Sequence, residues 1–503
     1  MKNYLISIIL STLALASCTD LDMQPLSQLT DNNAYNSEKD LLSGLSGVYS
    51  TTGCYLDQLF KVNEACTDEA VVPARGSDWK SIDLQSLHKH TWTTDNGEIN
   101  GAYNALSSGI AQSNLFIRAI EKSKLSGANV DVIKAEARFI RAFHYFQMID
   151  MFGNVPIVTD IVDPSNPPAT NSRAEVYKFI ETELIDIANI LPNTNEYGRA
   201  SKNAANFLLA KLYINAKIFT GTPQWNKSIE VLNRIIDSGK HSLSGDYKSV
   251  FAWNNDSNPE NIFVFRNDAK TSTWGSGYYI HFFTLHYSQA EQFGLTSGGW
   301  NGFSTLKGFY EKFSAKDKRR EIFLVGQQYG PNGEKLYCRD KVTPLVFTLE
   351  YTTPEKMDNA AETDGARVLK YTPGGPGPIY FLNNDFVFFR YADVLLMKAE
   401  AILNGGTDPK GVSALNLVNT VRARAFDADE PERNLASIDL NALLDERGRE
   451  FTWELLRRND LIRFGKFGDT WDMKSASQPY RTLFPIPKPQ LDANKNLKQN
   501  TGY

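Results

Sequence analysis

The chain has 503 residues, 42% of them hydrophobic and 22% charged, with a formal net charge of −5. That length admits two or three domains and a large core, and mild acidity without a basic stripe argues against a nucleic-acid partner. The aromatic share is high, at 12% with 22 Tyr, 29 Phe and 8 Trp, which suits a packed helical array, a surface that stacks on flat ligands, or both.

Residues 1–17 read as a signal peptide. Lys2 supplies the positive start, Tyr4 to Ala16 is apolar, and Leu15-Ala16-Ser17-Cys18 closes it like a lipobox. Cys18 is then the lipid-bearing residue of the mature chain, and 18–30 is a polar tether; the alternative is a plain signal peptide that happens to contain a cysteine. No later segment approaches ~18 uninterrupted apolar residues, since Phe386 to Leu403 is broken by Arg390, Asp393, Lys398 and Glu400. Cys54, Cys66 and Cys338 are an odd number, so at least one is unpaired within the molecule, and a Cys54–Cys66 bridge stays open.

Apolar residues at three- and four-residue steps predict helices over Asn32–Tyr49 and Glu98–Lys122. Thr51–Asp95, rich in Gly, Asp and Ser, reads mainly as loops. The stretch Asp131–Val158 is an aromatic-rich helix with Phe139, Phe143, Phe146 and Ile149 on one face. Asn129 or Asp131 is expected to cap it, Gly153 to end it, and a short link to pack it antiparallel on the preceding helix. Further helices follow Ser172 (to Leu191), Ser201 (Ala204–Phe219) and Pro223 (Trp225–Ser238). From His241 to Asn384, Gly, Pro and aromatics dominate, predicting loops and short strands. Helices return at Asp385, at Ser413–Ala425 and at Leu440–Phe464.

Five ordered motifs carry a family resemblance. Glu136-Ala-Arg-Phe-Ile-Arg-Ala, continuing to Tyr145-Phe146 and Gly153-Asn-Val-Pro156, is the first. The others are Arg390-Tyr-Ala-Asp-Val-Leu-Leu, Ala414-Leu-Asn-Leu-Val-Asn-Thr-Val-Arg-Ala-Arg, Glu446-Arg-Gly-Arg-Glu through Phe464-Gly465, and Pro485-Ile-Pro with the Asn-rich tail. Together they resemble the SusD/RagB family; Leu455 stands where that pattern has Gly, and Arg458 and Phe464 stand where Trp is common. The resemblance implies a mainly α fold: tetratricopeptide-like helix pairs in a right-handed superhelical array, with a loop-rich region containing short strands. It divides the chain into an N-terminal helical region (31–240), a loop-rich ligand-binding insertion (241–384) and a C-terminal helical region (385–503). It further implies an outer-membrane lipoprotein that captures oligosaccharides or polysaccharides for a SusC-type TonB-dependent transporter. Peptide or glycoprotein ligands, and an exported hydrolase, are the rival readings.

The residues offer little to catalysis. Glu446, Glu450 and Glu454 share a helical face with Arg449, Arg457 and Arg458 three or four residues away, so intrahelical ion pairs explain them. The pairs His88/His90 and His281/His286 lack a third ligand, so no metal or cofactor is expected. The candidate binding residues are loop-borne: Asp78 and Trp79; Trp274 and Tyr278; Trp300 and Asn301. A sugar's apolar C–H face fits an aromatic platform and its hydroxyl rim fits amides and carboxylates; the bland alternative is that these rings only cover the core. Because Cys18 ends the lipobox-like run, Cys18→Ala should move the protein from the membrane to the soluble fraction without altering its fold, as fractionation and a melting curve would show.

Overall fold

A computed structural model describes residues 35–273, 279–350, 353–377 and 379–503. Helix α1 (Glu38–Ser50) is followed by a 3-10 turn (Thr51–Leu56), α2 (Gln58–Ala65) and α3 (Ile82–Lys89). Thr51–Asp95 is thus more helical than its composition suggests. One signal was present: the Ser81 hydroxyl accepts the Leu84 N–H and caps α3. The long pair α4 (Gly97–Lys122) and α5 (Ala128–Met151) pack on each other. Neither Asn129 nor Asp131 caps α5, which begins at Gly127 with φ +121 and no side-chain cap. The Asn129 amide donates instead to Glu38 on α1, at 3.1 Å. Gly153, with φ +71, turns the chain past the end of α5 as expected.

α6 (Arg173–Ile190) opens with a full capping box, in which Ser172 and Glu175 satisfy each other's backbone N–H groups. α7 (Lys202–Ile214) and α8 (Ala216–Thr220) replace one expected helix. Asn215 breaks it, with its amide donating back to the Lys211 carbonyl at 2.8 Å. α9 (Trp225–Asp237) completes the N-terminal region, and each helix from α4 to α7 packs on the next, with α9 on α7. Burial follows this stacking: from Ala135 to Met151, only Arg138 is not fully buried.

The first residues expected to resume helix form a strand. β1 (Asn261–Phe265) and β6 (Phe386–Arg390) pair antiparallel, Asn261 opposite Arg390 and Phe265 opposite Phe386. All ten residues are buried. A run buried on both faces has no periodicity to distinguish strand from helix. Phe263, Phe388 and Phe389 pack against Phe139 and Phe143 of α5 with ring centroids 5.0–6.5 Å apart. Between these strands come α10 (Ile280–Thr284), α11 (Lys307–Tyr310) and two small strand pairs. β2 (Phe323–Leu324) joins β5 (Arg367–Val368), and β3 (Gly326–Gln327) joins β4 (Val346–Phe347). α12 (Tyr391–Leu403) and α13 (Ala414–Arg422) then resume the helical stacking.

The expected helix over Leu440–Phe464 is two helices, α14 (Leu440–Phe451) and α15 (Arg457–Arg463), before the short tail helix α16 (Lys488–Ala493). At the break, Trp453 (φ +57) and Leu455 (φ +63) adopt left-handed conformations. That geometry accounts for the glycine of the family pattern at position 455, because a Cβ is strained there. The freed backbone N–H groups are taken by buried carboxyls: Trp453 donates to Glu69 at 2.9 Å and Leu455 to Glu64 at 2.7 Å. Cys54, Cys66 and Cys338 are free thiols.

Glu446, Glu450 and Glu454 are not held by intrahelical pairs as expected, apart from Arg449–Glu446 at 2.7 Å. Glu446 also binds Arg319 and Arg422, Glu450 binds Arg319, Arg390 and Arg424, and Glu454 binds Arg390 and Lys370. Arg457 reaches back to Asp68 and Arg458 to Asp150. Sequence spacing identified the charges but not the partners, which are brought in from elsewhere in the chain.

Glu64 and Glu69 lie together without solvent, and burial pushes the Glu64 pKa up to about 8. An acid whose pKa is higher folded than unfolded stabilises below its unfolded value and loses that contribution as pH rises through the folded value. The stability advantage of wild type over Glu64→Gln should therefore shrink as pH rises from about 4.5 to 8. Thermal melts of both proteins across that range test this, and a constant difference would count against a protonated Glu64.

Candidate functional site

The turn Arg75-Gly-Ser-Asp78 closes with reciprocal backbone hydrogen bonds between Arg75 and Asp78, at 2.9 and 3.1 Å. Gly76 takes φ +67 within it. Arg75 is buried, and its guanidinium donates to the carbonyls of Asn301, Gly302 and Asp364 at 2.7–2.8 Å. This side chain pins the turn that carries Asp78 and Trp79 onto the loop that carries Trp300. Trp79 itself has φ +56, an unusual conformation for a bulky residue.

The two tryptophans meet. The Trp79 indole N–H donates to the Trp300 carbonyl at 2.6 Å, and the rings lie 6.5 Å apart at 39°. Phe282 of α10 stacks on Trp300 at 5.4 Å and 15°, while Phe283 meets Trp79 edge-on at 6.0 Å. Both indoles are half-buried, packed on the core from one side. The Gly298-Gly-Trp-Asn-Gly302 run explains how. A Cβ on Gly299 would lie 2.0 Å from the Leu285 carbonyl oxygen, and one on Gly302 would lie 2.3 Å from the Trp79 ring. The glycines let this segment lie against α10 and Trp79 more closely than any side chain would allow.

Polar groups border the pair. Asp78 accepts from the Tyr287 hydroxyl at 2.5 Å and pairs with Arg339 at 2.8 Å. Arg339 also binds Glu362 at 2.7 Å and lies over the Tyr287 ring at 4.3 Å. Asp78 and Arg339 remain about one-third and one-half exposed. Asn301 has a different role from the one its sequence neighbourhood suggested. It is fully buried with φ +54. Its oxygen accepts from Arg367 at 3.0 Å and its amide donates to the Glu362 carbonyl at 3.1 Å, so it braces the loop from within. Trp274, Tyr278 and Cys18 lie outside the described residues. Arg75, Tyr287 and Arg339 were missed by sequence reasoning; only the Gly-rich turn beside Arg75 hinted at a built corner.

Folding also gives His286 neighbours that its spacing did not show: Cys338 and Glu362, with ligand-type atoms within 4.8 Å of one another. The hydrogen bonds do not suit a metal. His286 Nδ1 accepts the Ser288 N–H at 3.1 Å, so Nε2 holds the proton and donates to Glu362 at 3.1 Å. A cation at Nε2 would drive the proton to Nδ1, against the Ser288 N–H. Burial keeps His286 neutral, with its pKa lowered to about 4, and raises the Cys338 thiol to about 11.

Among the described residues, one cleft of about 520 Å³ lies beside Tyr49, Tyr197, Arg199 and Arg266 and one of about 420 Å³ beside Lys312, Asp445 and Trp471.

A mainly α scaffold of stacked helices bearing a loop-built aromatic corner defines the class: a protein of the helical-repeat type. The chain belongs to the SusD family, whose model matches residues 237–503, while a second model, described as starch-binding associating with outer membrane, matches residues 21–214. The chain is 28% identical to the starch-binding protein SusD of Bacteroides thetaiotaomicron, over 92% of this chain and 86% of that one. Among solved structures, a laminarin-binding SusD-like protein superposes with a TM-score of 0.75 at 23% identity, over 93% of this chain and all of that one. Surface glycan-binding protein A from Bacteroides fluxus does so with a TM-score of 0.75 at 22% identity, with the same coverage. These likenesses establish the fold, including the tetratricopeptide-like pairing of its helices.

Because the Trp79 ring fills the space above Gly302, Gly302→Ala should tilt the indole at a cost of about 1–3 kcal/mol. Trp fluorescence and a melting curve would both shift; an unchanged emission spectrum would show that the loop yields instead.

Proposed function

We propose that this protein is a non-enzymatic, cell-surface glycan receptor, lipid-anchored through Cys18, that captures oligosaccharides at the Trp79–Trp300 surface. It passes them to a SusC-type TonB-dependent transporter in the outer membrane. The observation that carries the glycan reading is the pairing of two half-buried indoles on a rigid backing of Phe282 and Phe283, beside the exposed Asp78 and Arg339. Sugar rings stack through their C–H faces on such platforms while their hydroxyls bond the charged border. Trp274 and Tyr278, close in sequence to α10, are the further rings proposed to complete the surface. Membership of the SusD family, and relatives named for starch and laminarin, support the same ligand class.

Binding without turnover fits the electrostatics. Despite burial, the carboxylates of Glu446 and Glu450 are held well below the usual range, Glu446 chiefly by Arg319 and Glu450 chiefly by Arg424 and Arg390. An acid that stays ionised in permanent ion pairs is poorly suited to shuttle protons near neutral pH.

Trp300→Ala should weaken binding of a recognised glycan ten- to a hundredfold, equivalent to about 1–3 kcal/mol of lost stacking. Its melting temperature should fall less than for a truncated core ring, which costs about 3–5 kcal/mol. A glycan and peptide array followed by calorimetry on the soluble domain reads this directly. Recognition of peptides alone, or equal binding by Trp300→Ala, would overturn the reading.

A further inference from the structure

Residues 326–347 form an excursion closed at its base by β3 and β4 and along its length by bridges between Tyr329 and Lys335 and between Tyr337 and Pro344. It has a small core of its own, made by Cys338, Leu345 and Phe347 with Leu324 and Leu336 against them. Four of its large apolar residues reach solvent among the charged ones: Tyr329 is 47% exposed, Tyr337 41%, Val342 78% and Val346 37%. Cys338 is buried while Tyr337, in the bridge to Pro344, and Arg339, in the turn that follows, are both exposed. Arg339, two residues after Tyr337, is the residue that grips Asp78 and Glu362 and covers Tyr287. The Ser288 hydroxyl donates to the Tyr337 carbonyl at 2.8 Å, fixing the strand against the segment beside Tyr287. The backbone at Tyr337, whose ring is exposed, is therefore held next to the segments that supply Tyr287 and Arg339 to the charged border.

We infer that the binding surface continues from Trp79 and Trp300 across Asp78 and Arg339 onto this excursion, where Tyr337 is a second stacking subsite. The ligand it selects is a chain of several linked sugar rings rather than a terminal mono- or disaccharide. The inference rests on the glycan reading above and narrows it. A ring held on a two-stranded element with its own core loses little conformational freedom on binding, so its stacking contributes to affinity almost undiminished. Two platforms joined by a polar saddle select for length, because a short glycan reaches only one of them while a longer one gains the second within the same molecule.

The test compares six-ring and two-ring β-1,3-glucans and α-1,4-glucans on wild type, Tyr337→Ala, Tyr337→Phe and Trp300→Ala by titration calorimetry. The expected result is that wild type binds a six-ring glycan at least tenfold more tightly than its two-ring form. Tyr337→Ala should lose most of that advantage, Tyr337→Phe should keep it, and the two-ring glycan should bind wild type and Tyr337→Ala alike. Melting curves check that the variants fold, and Tyr337→Leu replaces Tyr337→Ala if alanine disturbs the excursion. If a six-ring glycan binds, Trp300→Ala abolishes it and neither Tyr337→Ala nor Tyr337→Leu changes it, this inference is wrong and the glycan reading stands. If no six-ring glycan binds wild type, both fall for these ligands.

Discussion

The buried meeting of Arg390 with Glu260, Glu450 and Glu454 ties the loop-rich region to the C-terminal helices. Arg390 ends β6, and its guanidinium reaches all three carboxylates at 2.7 Å. Arg424 adds Glu260 and Glu450, Arg319 adds Asp317, Glu446 and Glu450, and Lys370 adds Glu454. Glu260, Asp317, Arg319 and Lys370 come from the loop-rich region, the rest from the C-terminal region. Charges so enclosed are tolerated only when every partner is present, because a lone buried ion costs several kcal/mol. The network therefore contributes specificity more than net stability. It allows the loop-rich region one seating on the helices, and that seating places the aromatic surface.

The same region is anchored a second way, through aromatic packing. β1 and β6 bury Phe263, Phe388 and Phe389 on Phe139 and Phe143 of α5. Tyr49 of α1 and Arg199 both bind Glu136 in the same helix, at 2.6 Å. The longest buried helix is thus a floor that receives non-helical strands on one side and helices on the others. An apolar arc this wide suits a helix covered on more than one side.

The binding surface depends on that rigidity. Trp79 is held by its N–H bond to the Trp300 carbonyl, Trp300 by Phe282, and the intervening turn by Arg75, with the glycines permitting the close approach. Rings fixed in this way can present one face to solvent without large entropy loss on binding. A loop-built surface on a helical stack also allows the contact residues to vary while the scaffold is retained.

Periodicity, capping residues and five ordered motifs determined, from the amino-acid order alone, the mainly α class, most helix positions and the candidate tryptophans. These are local properties: a stripe repeats every three or four residues, and Ser172 and Glu175 are three apart. Tertiary structure decided what depends on distant partners. The Phe386–Arg390 run became a strand because Asn261–Phe265 lay ready to pair with it, and the helix over 440–464 broke because Glu64 and Glu69 could take its freed N–H groups. The glutamates of α14 found arginines up to 131 residues away, and Asn301 became a brace through Arg367. Which aromatic rings join one surface was likewise beyond sequence reading, since Trp79 and Trp300 are 221 residues apart and meet only when the chain folds.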